Sequence, residues 1–270
     1  NRALLKEWET GTASRYGKFV RTDWDVYSLT SSENLSDWSE LTFSADYLSM
    51  RGPAAGLDFE YTKPNVSGLA SAYYIQDKAT SDINSVPIDD NDRGQLLWRH
   101  RQLLRGNWRA DIELSQVSDR SFFREYYELE FKADKDRETL IYLRNISDNK
   151  GITFLAERQL RTYDTLVDSK RLNRKNESLP KLKYRIIGEP LWGGKLNYTS
   201  ETELTYQSRL FNGIPSNQAV EDFLGRGALL TAERVFDREP FRRRLAPEET
   251  FRFDTDHMLA APFHVYGVRF

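Results

Sequence analysis

The chain has 270 residues, of which 39% are hydrophobic and 30% are charged. No stretch approaches the ~18 consecutive apolar residues of a membrane-spanning helix, which excludes a helical membrane protein. The 39 basic and 41 acidic residues nearly balance, so we expect no nucleic-acid partner, and the absence of cysteine excludes disulfides and thiolate chemistry.

Alternation of apolar and polar residues predicts β-strands along most of the chain. Near the N-terminus, for example, Val20 and Trp24 lie on one face of a strand and Arg21 on the other. The predicted strands are 20–26, 41–47, 57–61, 69–76, 96–103, 108–114, 126–132, 139–144, 152–159, 196–210, 229–236 and 251–257. Gly52 and Pro53 predict a hairpin turn between the second and third of them.

The remaining segments are predicted to connect these strands. Residues 78–93 and 212–227 have the composition of long loops, whereas 163–180 suits either a strand extension or a loop. All nine prolines are expected between strands or at their ends, because proline cannot donate to a central ladder. No change of composition requires a second domain, so one antiparallel sheet system is the simplest architecture.

The alternation alone leaves three architectures open: a soluble sandwich, an open sheet and a transmembrane barrel. Strands such as 196–210 exceed the ~5–6 residues common in soluble sheets and match the ~9–11 residues that cross a bilayer. Aromatic residues form 13% of the chain and lie near strand ends or on apolar faces. They suit either interfacial girdles of a barrel or the core of a sandwich.

Two blocks of sequence carry a more specific signal. The first comprises residues 41–52 and 57–61. The second contains, in order, an arginine-rich strand start, a W-x-H strand, a Trp-led strand and a V-S-D-x-x-[FY]-F turn, at Arg93, Trp98–His100, Trp108 and Val117–Phe123. Together these blocks resemble the LptD family of lipopolysaccharide-assembly proteins, formerly called organic solvent tolerance proteins. The resemblance runs from about residue 15 to 160, is thinner through Phe211, and returns weakly at 251–270.

The resemblance implies an antiparallel transmembrane β-barrel, here a partial barrel or open curved sheet because the chain is a fragment. Residues 1–270 are expected to form a single barrel segment, without the family's periplasmic jelly-roll domain and remaining strands. Such barrels lie in the bacterial cell outer membrane and insert lipopolysaccharide into its outer leaflet through a lateral gate. The implied partners are lipopolysaccharide, an LptE-like plug lipoprotein and the periplasmic Lpt bridge proteins.

The gate of this family lies between the first and last barrel strands. Its first strand is expected near residues 18–29 of this chain. Well-known family members carry prolines in their first two strands. This chain has none between Asn1 and Gly52, and Thr22 and Ser44 stand at roughly the corresponding places.

Charged residues on the face opposite the apolar rows are the candidates for the passage. We predict lumen-facing positions for Arg21, Asp23, Asp25, Asp46, Asp58, Glu60, Arg109, Asp111, Glu113, Glu201 and Glu203. A polar lumen would let the hydrophilic part of an amphiphile cross while its acyl chains stay in an apolar phase.

No motif in the chain predicts catalysis or a bound group. The three histidines lack the H-E-x-x-H spacing, and no serine lies in G-x-S-x-G. We therefore expect no enzyme activity, no cofactor and no metal. Two alternative functions remain: a porin-type channel for small solutes and a soluble carbohydrate-binding β-sandwich.

Overall fold

The computed structural model describes residues 4–30, 33–83, 87–88, 90–119, 121–129, 138–158, 173–212, 248–261, 264–265 and 268–269. Its strands are β1 (Leu5–Ala13), β2 (Gly17–Asp25), β3 (Ser39–Leu48), β4 (Gly52–Lys63), β5 (Val66–Gln76), β6 (Asp92–Leu103), β7 (Trp108–Val117), β8 (Thr139–Ser147), β9 (Lys150–Arg158), β10 (Asn173–Leu191), β11 (Leu196–Asn212), β12 (Glu248–Ala260), β13 (His264–Val265) and β14 (Val268–Arg269). The helices are α1 (Tyr27–Thr30), α2 (Glu33–Ser36) and α3 (Phe122–Tyr126).

Strands β1 to β12 are hydrogen-bonded in chain order in one twelve-stranded sheet, and β13 pairs with β14. The neighbours from β1 to β6 and from β9 to β12 are antiparallel. The predicted all-β antiparallel class is therefore confirmed. The strands β1 and β12 stand at the two ends of the order, so the sheet is open among the described residues.

The predicted hairpin between β3 and β4 is confirmed and depends on a glycine. Leu48 lies opposite Gly52 in the register. Gly52 has φ of 129°, and a Cβ there would lie 2.2 Å from the carbonyl oxygen of Gln76 on β5. Only glycine accepts both the backbone conformation and the close approach of the neighbouring strand.

The described residues form two compact units. The first contains β1 to β6, most of β7 and the three helices, whereas the second contains the start of β7 and β8 to β12.

The sheet of the first unit has one polar and one apolar face. Arg21 lies opposite Asp46 in the register of β2 and β3. One residue further along each strand, Thr22 lies opposite Ala45. Residues directly opposite each other share a face, so the polar face contains Arg21, Asp23, Asp46, Asp58 and Glu60. The apolar face contains Val20, Trp24, Phe43, Leu57 and Phe59.

The apolar face of the first unit is uncovered among the described residues. Phe43 is 41% exposed and Leu57 is 46% exposed, whereas Leu48 and Ile75 on the polar side are fully buried. A soluble β-sandwich would instead bury its apolar face under a second sheet. The sandwich interpretation is therefore not favoured.

The second unit repeats this division of faces. Its polar face contains Lys181, Lys183, Arg185, Glu201 and Glu203, and its apolar face contains Leu182, Tyr184, Leu204, Phe251 and Phe253. Phe251 is 67% exposed and Phe253 is 60% exposed, so this apolar face is uncovered too.

Several expectations from the sequence differ from the structure. The predicted strand at 126–132 is wrong where it is described, because Tyr126 belongs to α3 and packs on Phe122 one helical turn earlier, with ring centroids 4.9 Å apart. The strands β1 and β10 were not predicted as such. The predicted strand at 229–236 lies outside the described residues.

The expected positions of the prolines also need correction. Pro180 and Pro190 both lie inside β10. The register with both neighbouring strands shifts between Ser178 and Lys181, so Pro180 lies at a bulge, where its missing N–H interrupts no ladder bond. Pro190 lies next to the last residue of the strand.

Candidate functional site: the polar faces and a helical cap

The polar faces of β2, β3 and β4 bring together six of the predicted residues, one of which is Asp25. Arg21 contacts two carboxylates, with Nη1 3.7 Å from Glu9 and Nε 4.0 Å from Asp46. The Ser44 hydroxyl donates a 2.7 Å hydrogen bond to Asp23. Asp58 and Glu60 follow on β4 on the same face. The predicted row of charged groups thus exists as one continuous surface.

Asp25 differs from the rest of this row because its hydrogen-bond partners are close to it in the sequence. It is buried and accepts hydrogen bonds from the Tyr27 backbone N–H, at 3.0 Å, and from the Ser28 hydroxyl, at 3.1 Å. Asp25 therefore stabilises the start of α1, where the chain leaves β2.

Ion pairs join the polar faces of β6 and β7. The Arg99 Nε lies 3.2 Å from Glu113, and the Arg101 Nε lies 2.6 Å from Asp111. Arg109 lies two residues before Asp111 on β7, so it faces the same side. Asp111 and Glu113 are among the residues predicted from the sequence, whereas their partners Arg99 and Arg101 are not.

Glu201 and Glu203 of the second unit are ion-paired as well. The Lys183 Nζ lies 2.7 Å from Glu201 and 3.0 Å from Glu203. Lys181 lies 2.9 Å from Glu203, and the Arg185 Nε donates a 2.6 Å hydrogen bond to Glu201. The three cations were missed because the alternation of β10 is broken by Pro180 and Gly188.

A short helix covers one end of the polar face of the first unit. Phe122 of α3 packs with Leu48, Ala54, Ile75 and Val117 in the buried core. These four partners lie where β3 and β7 end and near where β4 begins and β5 ends. We call residues 118–127, which include α3, the helical cap. The cap turns this end of a polar surface into a small hydrophobic core.

Beneath the cap lies a buried set of four charges. Arg93 Nη1 is 2.6 Å from Asp77 and 2.8 Å from Glu125, and Arg51 Nη1 is 3.2 Å from Asp77. Arg51 also pairs with Glu125. Arg93 is 1% exposed, and Asp77 and Glu125 are fully buried. Two cations thus balance two anions, which offsets the large cost of removing each charge from water.

Tyr126 completes this buried cluster. Its hydroxyl donates a 2.6 Å hydrogen bond to Asp77. Burial, together with this hydrogen bond, raises the pKa of Tyr126, so the phenol keeps its proton and remains a donor.

Asp119 connects Arg93 to the start of the cap. Arg93 donates to it from Nε at 2.7 Å and from Nη2 at 2.8 Å, and the backbone N–H of Phe122 donates at 3.0 Å. Burial acts to raise the pKa of Asp119, but the hydrogen bonds and the charge of Arg93 outweigh it, so the pKa lies below its ordinary value. Asp119 is therefore ionised at neutral pH and orders the turn before α3.

Two Arg-Gly pairs in the sequence are a signal for this cluster. Arg51 and Arg93 each precede a glycine at the start of a strand. A Cβ at Gly94 would lie 2.5 Å from the carbonyl oxygen of Tyr73, which, like the 2.2 Å contact at Gly52, is too close for any side chain. Each Arg-Gly pair thus brings a strand start against β5 and places a guanidinium under the cap.

Removing one buried cation should destabilise the first unit strongly. Arg93→Met leaves Asp77 and Glu125 with one cation between them and should lower the free energy of unfolding by about 3–5 kcal/mol. Arg101→Met, on the same face of β6, breaks an ion pair whose arginine side chain is 57% exposed. That control should lower the free energy of unfolding by no more than about 1 kcal/mol. Denaturant titration measures both, and equal losses would contradict the buried network.

The ionisation of Asp119 should make attachment of the cap depend on pH. Because its folded pKa is lowered, its contribution is complete above its ordinary value of about 3.9 and is lost as the pH falls through the folded pKa. Amide hydrogen exchange of α3, corrected for intrinsic rates, should show declining protection in this acidic range. Asp119→Asn should lower protection at neutral pH and flatten the acidic decline, and an unchanged profile would contradict this role.

Two further features are absent from the described part of the chain. Within it, no three His, Asp or Glu side chains are grouped as metal ligands. None of its helices has the length and apolar character needed to cross a membrane.

Comparison with known proteins supports the family resemblance. The family model described as "LptD: LPS transport system D" matches residues 91–266. The LPS-assembly protein LptD of Haemophilus ducreyi is 28% identical over 102 residues, which are 37% of this chain and 13% of that protein. The corresponding protein of Bordetella pertussis is 31% identical over 118 residues, 42% of this chain and 13% of the relative. That of Sodalis glossinidius is 24% identical over 132 residues, 49% of this chain and 17% of the relative.

The family model covers the second of the two sequence blocks, which includes β6, β7 and the cap, but not the first block at residues 41–61. The alignments span only a small part, 13 to 17%, of the length of these three relatives. The matched range nevertheless includes well over half of the chain. This chain therefore belongs to the LptD family.

Proposed function

We propose that this chain is part of an outer-membrane β-barrel that inserts lipopolysaccharide into the outer leaflet of the bacterial cell outer membrane. Residues 1–270 are then one segment of that barrel. The observation that carries the proposal is the uncovered apolar face in both units of a chain whose relatives are named LPS-assembly proteins. Insertion of an amphiphile breaks no bond, so the proposed activity is transport rather than catalysis.

The apolar face of the first unit has the dimensions of a lipid-facing surface. Tyr47 and Tyr74 lie on it at one end, and Tyr61 and Trp98 lie on it at the other. On β4, Pro53 lies opposite Tyr47, and Tyr61 follows eight positions later. These eight positions correspond to about 26 Å of strand, or roughly 20 Å of height after a tilt of ~40°, close to the ~25 Å apolar band of outer-membrane barrels. Aromatic residues at both edges are typical of membrane–water interfaces.

The polar faces are proposed to border the aqueous passage. The eleven charged residues predicted from the sequence all lie on them. Most are held by ion pairs or hydrogen bonds to the neighbouring strand. A polar surface of this kind hydrates the saccharide of lipopolysaccharide, while the acyl chains remain in the apolar phase on the other side of the strands.

The strand expected to border the proposed lateral gate, near residues 18–29, is an inner strand of the described sheet. That expected strand is β2, and it is hydrogen-bonded to β1 on one side and β3 on the other. Thr22 and Ser44 strengthen the β2–β3 pairing with side-chain hydrogen bonds of 2.8 Å to the Ala45 carbonyl and 2.7 Å to Asp23. A gate that relies on weak pairing between β2 and β3 is therefore not proposed.

The proposed partners follow from the same assignment. Lipopolysaccharide is the substrate. An LptE-like plug lipoprotein and the periplasmic Lpt bridge proteins are proposed as partners of the whole protein, on the strength of family membership alone.

Depletion of the protein in cells tests the function directly. Loss of lipopolysaccharide from the cell surface is expected, because the proposed transporter would no longer deliver it to the outer leaflet. Unchanged surface lipopolysaccharide with reduced uptake of small solutes would overturn the proposal in favour of a porin-type channel. Release of the protein from membranes by a salt wash would overturn the membrane assignment.

Arginine substitutions on adjacent residues test which face contacts lipid. Replacing Phe43, Phe59 or Ile112 with Arg should cost about 2–4 kcal/mol of folding free energy near the middle of the bilayer. Ser44→Arg is the matched control, because it places the same side chain on the polar face beside Asp23. Denaturant titration in lipid vesicles measures the difference. An equal cost at both faces would argue against a lipid-facing apolar surface.

A further inference from the structure

A cleft of about 680 Å³ lies on the second unit, where β8, β9 and β10 meet. Its walls include side chains from the polar faces of β9 and β10 and from the hairpin between β8 and β9. The residues that matter for its chemistry are Tyr142, Thr153, Leu155, Lys181, Lys183 and Arg185. A volume of this size lies within the ~300–1,000 Å³ range of ligand sites.

The cleft has a positively charged wall made by one strand. Lys181, Lys183 and Arg185 alternate along β10 and therefore project from the same face. On the β11 side, two carboxylates, Glu201 and Glu203, pair with them. Three cations against two anions leave this row with a net positive charge.

The opposite side of the same row is neutral. In the register of β9 and β10, Lys181 faces Leu155, Lys183 faces Thr153 and Arg185 faces Gly151. None of these β9 residues carries a charge, and Gly151 has no side chain to fill the space. In this register the carboxylate partners of the row lie on the β11 side, and the one carboxylate that lines the cleft, Asp148, lies in the β8–β9 hairpin beside Lys150.

The cations keep hydrogen-bond donors for a ligand. A lysine ammonium has three N–H donors, and a guanidinium has five. Within the described residues, Lys181 forms an ion pair with Glu203, and Lys183 forms ion pairs with Glu201 and Glu203. The Lys183 side chain is 26% exposed and that of Arg185 is 48% exposed. The glutamates hold the cations in position without using all their donors.

The rest of the lining suits a sugar ring. Tyr142 and Leu155 provide an apolar wall, and the Thr153 hydroxyl can donate or accept a hydrogen bond. The C–H face of a sugar ring packs well on an aromatic side chain, while an attached phosphate reaches the cationic row.

We propose that this cleft binds a saccharide that carries a phosphate group, with Lys183 as the central contact. The inference rests on the proposed function and deepens it: the cleft would hold the phosphorylated saccharide of lipopolysaccharide on the polar face. It also gives Glu201 and Glu203 a positioning role, because they orient the cations and do not contact the phosphate.

Substitution of Lys183 tests the site without dismantling the ion-pair row. In Lys183→Gln, Glu201 keeps Arg185 and Glu203 keeps Lys181 as partners. Glucose 6-phosphate is titrated into the detergent-solubilised full-length protein and followed by NMR. Loss of one charge-assisted contact should weaken binding about tenfold or more. Lys195→Gln removes an equal charge from the exposed β10–β11 turn outside the cleft and should leave binding unchanged.

Further titrations separate the possible sources of the anion. Glucose without phosphate and inorganic phosphate should each bind at least tenfold more weakly than glucose 6-phosphate, and deacylated lipopolysaccharide should compete with it. Equal binding by Lys183→Gln and the unsubstituted protein would overturn the site. Equal binding of inorganic phosphate would overturn the assignment to a saccharide. Either failure is distinct from failure of the transport function, which the depletion experiment decides on surface lipopolysaccharide alone.

Discussion

An uncovered apolar face is the constraint on which the rest of this structure depends. Each strand places hydrophobic side chains on one side and charged side chains on the other, so the sheet cannot satisfy both sides in water alone. Among the described residues the hydrophobic side has no protein layer over it, as the exposure of Phe43 and Phe253 shows. The polar side instead carries ion pairs between neighbouring strands. This division explains why the hydrophobic core is confined to the small region beneath the helical cap.

The cap shows how a polar face can still contain a stable core. Aromatic residues of α3 bury the ends of the strands, while Arg51 and Arg93 neutralise Asp77 and Glu125 underneath. Arginine suits this position because its planar guanidinium binds several carboxylate oxygens at once, as Arg93 does with Asp77, Glu125 and Asp119. The same face is therefore open along most of its length and closed at one end.

Strand alternation made much of the fold predictable, since the strands from β2 to β9, and β11 and β12, follow clear apolar rows. The strand β1 was not predicted because the charged residues Lys6, Glu7 and Glu9 interrupt its alternation of apolar and polar residues. The strand β10 was not predicted because a bulge at Pro180 shifts its alternation. All the predicted charged residues lie on the polar faces. Their cationic partners on β6 and β10 and the buried cluster were missed, because a single sequence does not show which distant charges meet.

The buried charges come from four elements that are far apart in the chain. Arg51 follows β3, Asp77 follows β5, Arg93 lies at the start of β6, and Glu125 lies beyond β7. Glu125 can lose its hydration at low cost only after the three earlier elements have been brought together by strand pairing. A strand slipped by one residue would leave an unpaired ion under the helix, so the buried charges are all satisfied only when the preceding hairpins are in register.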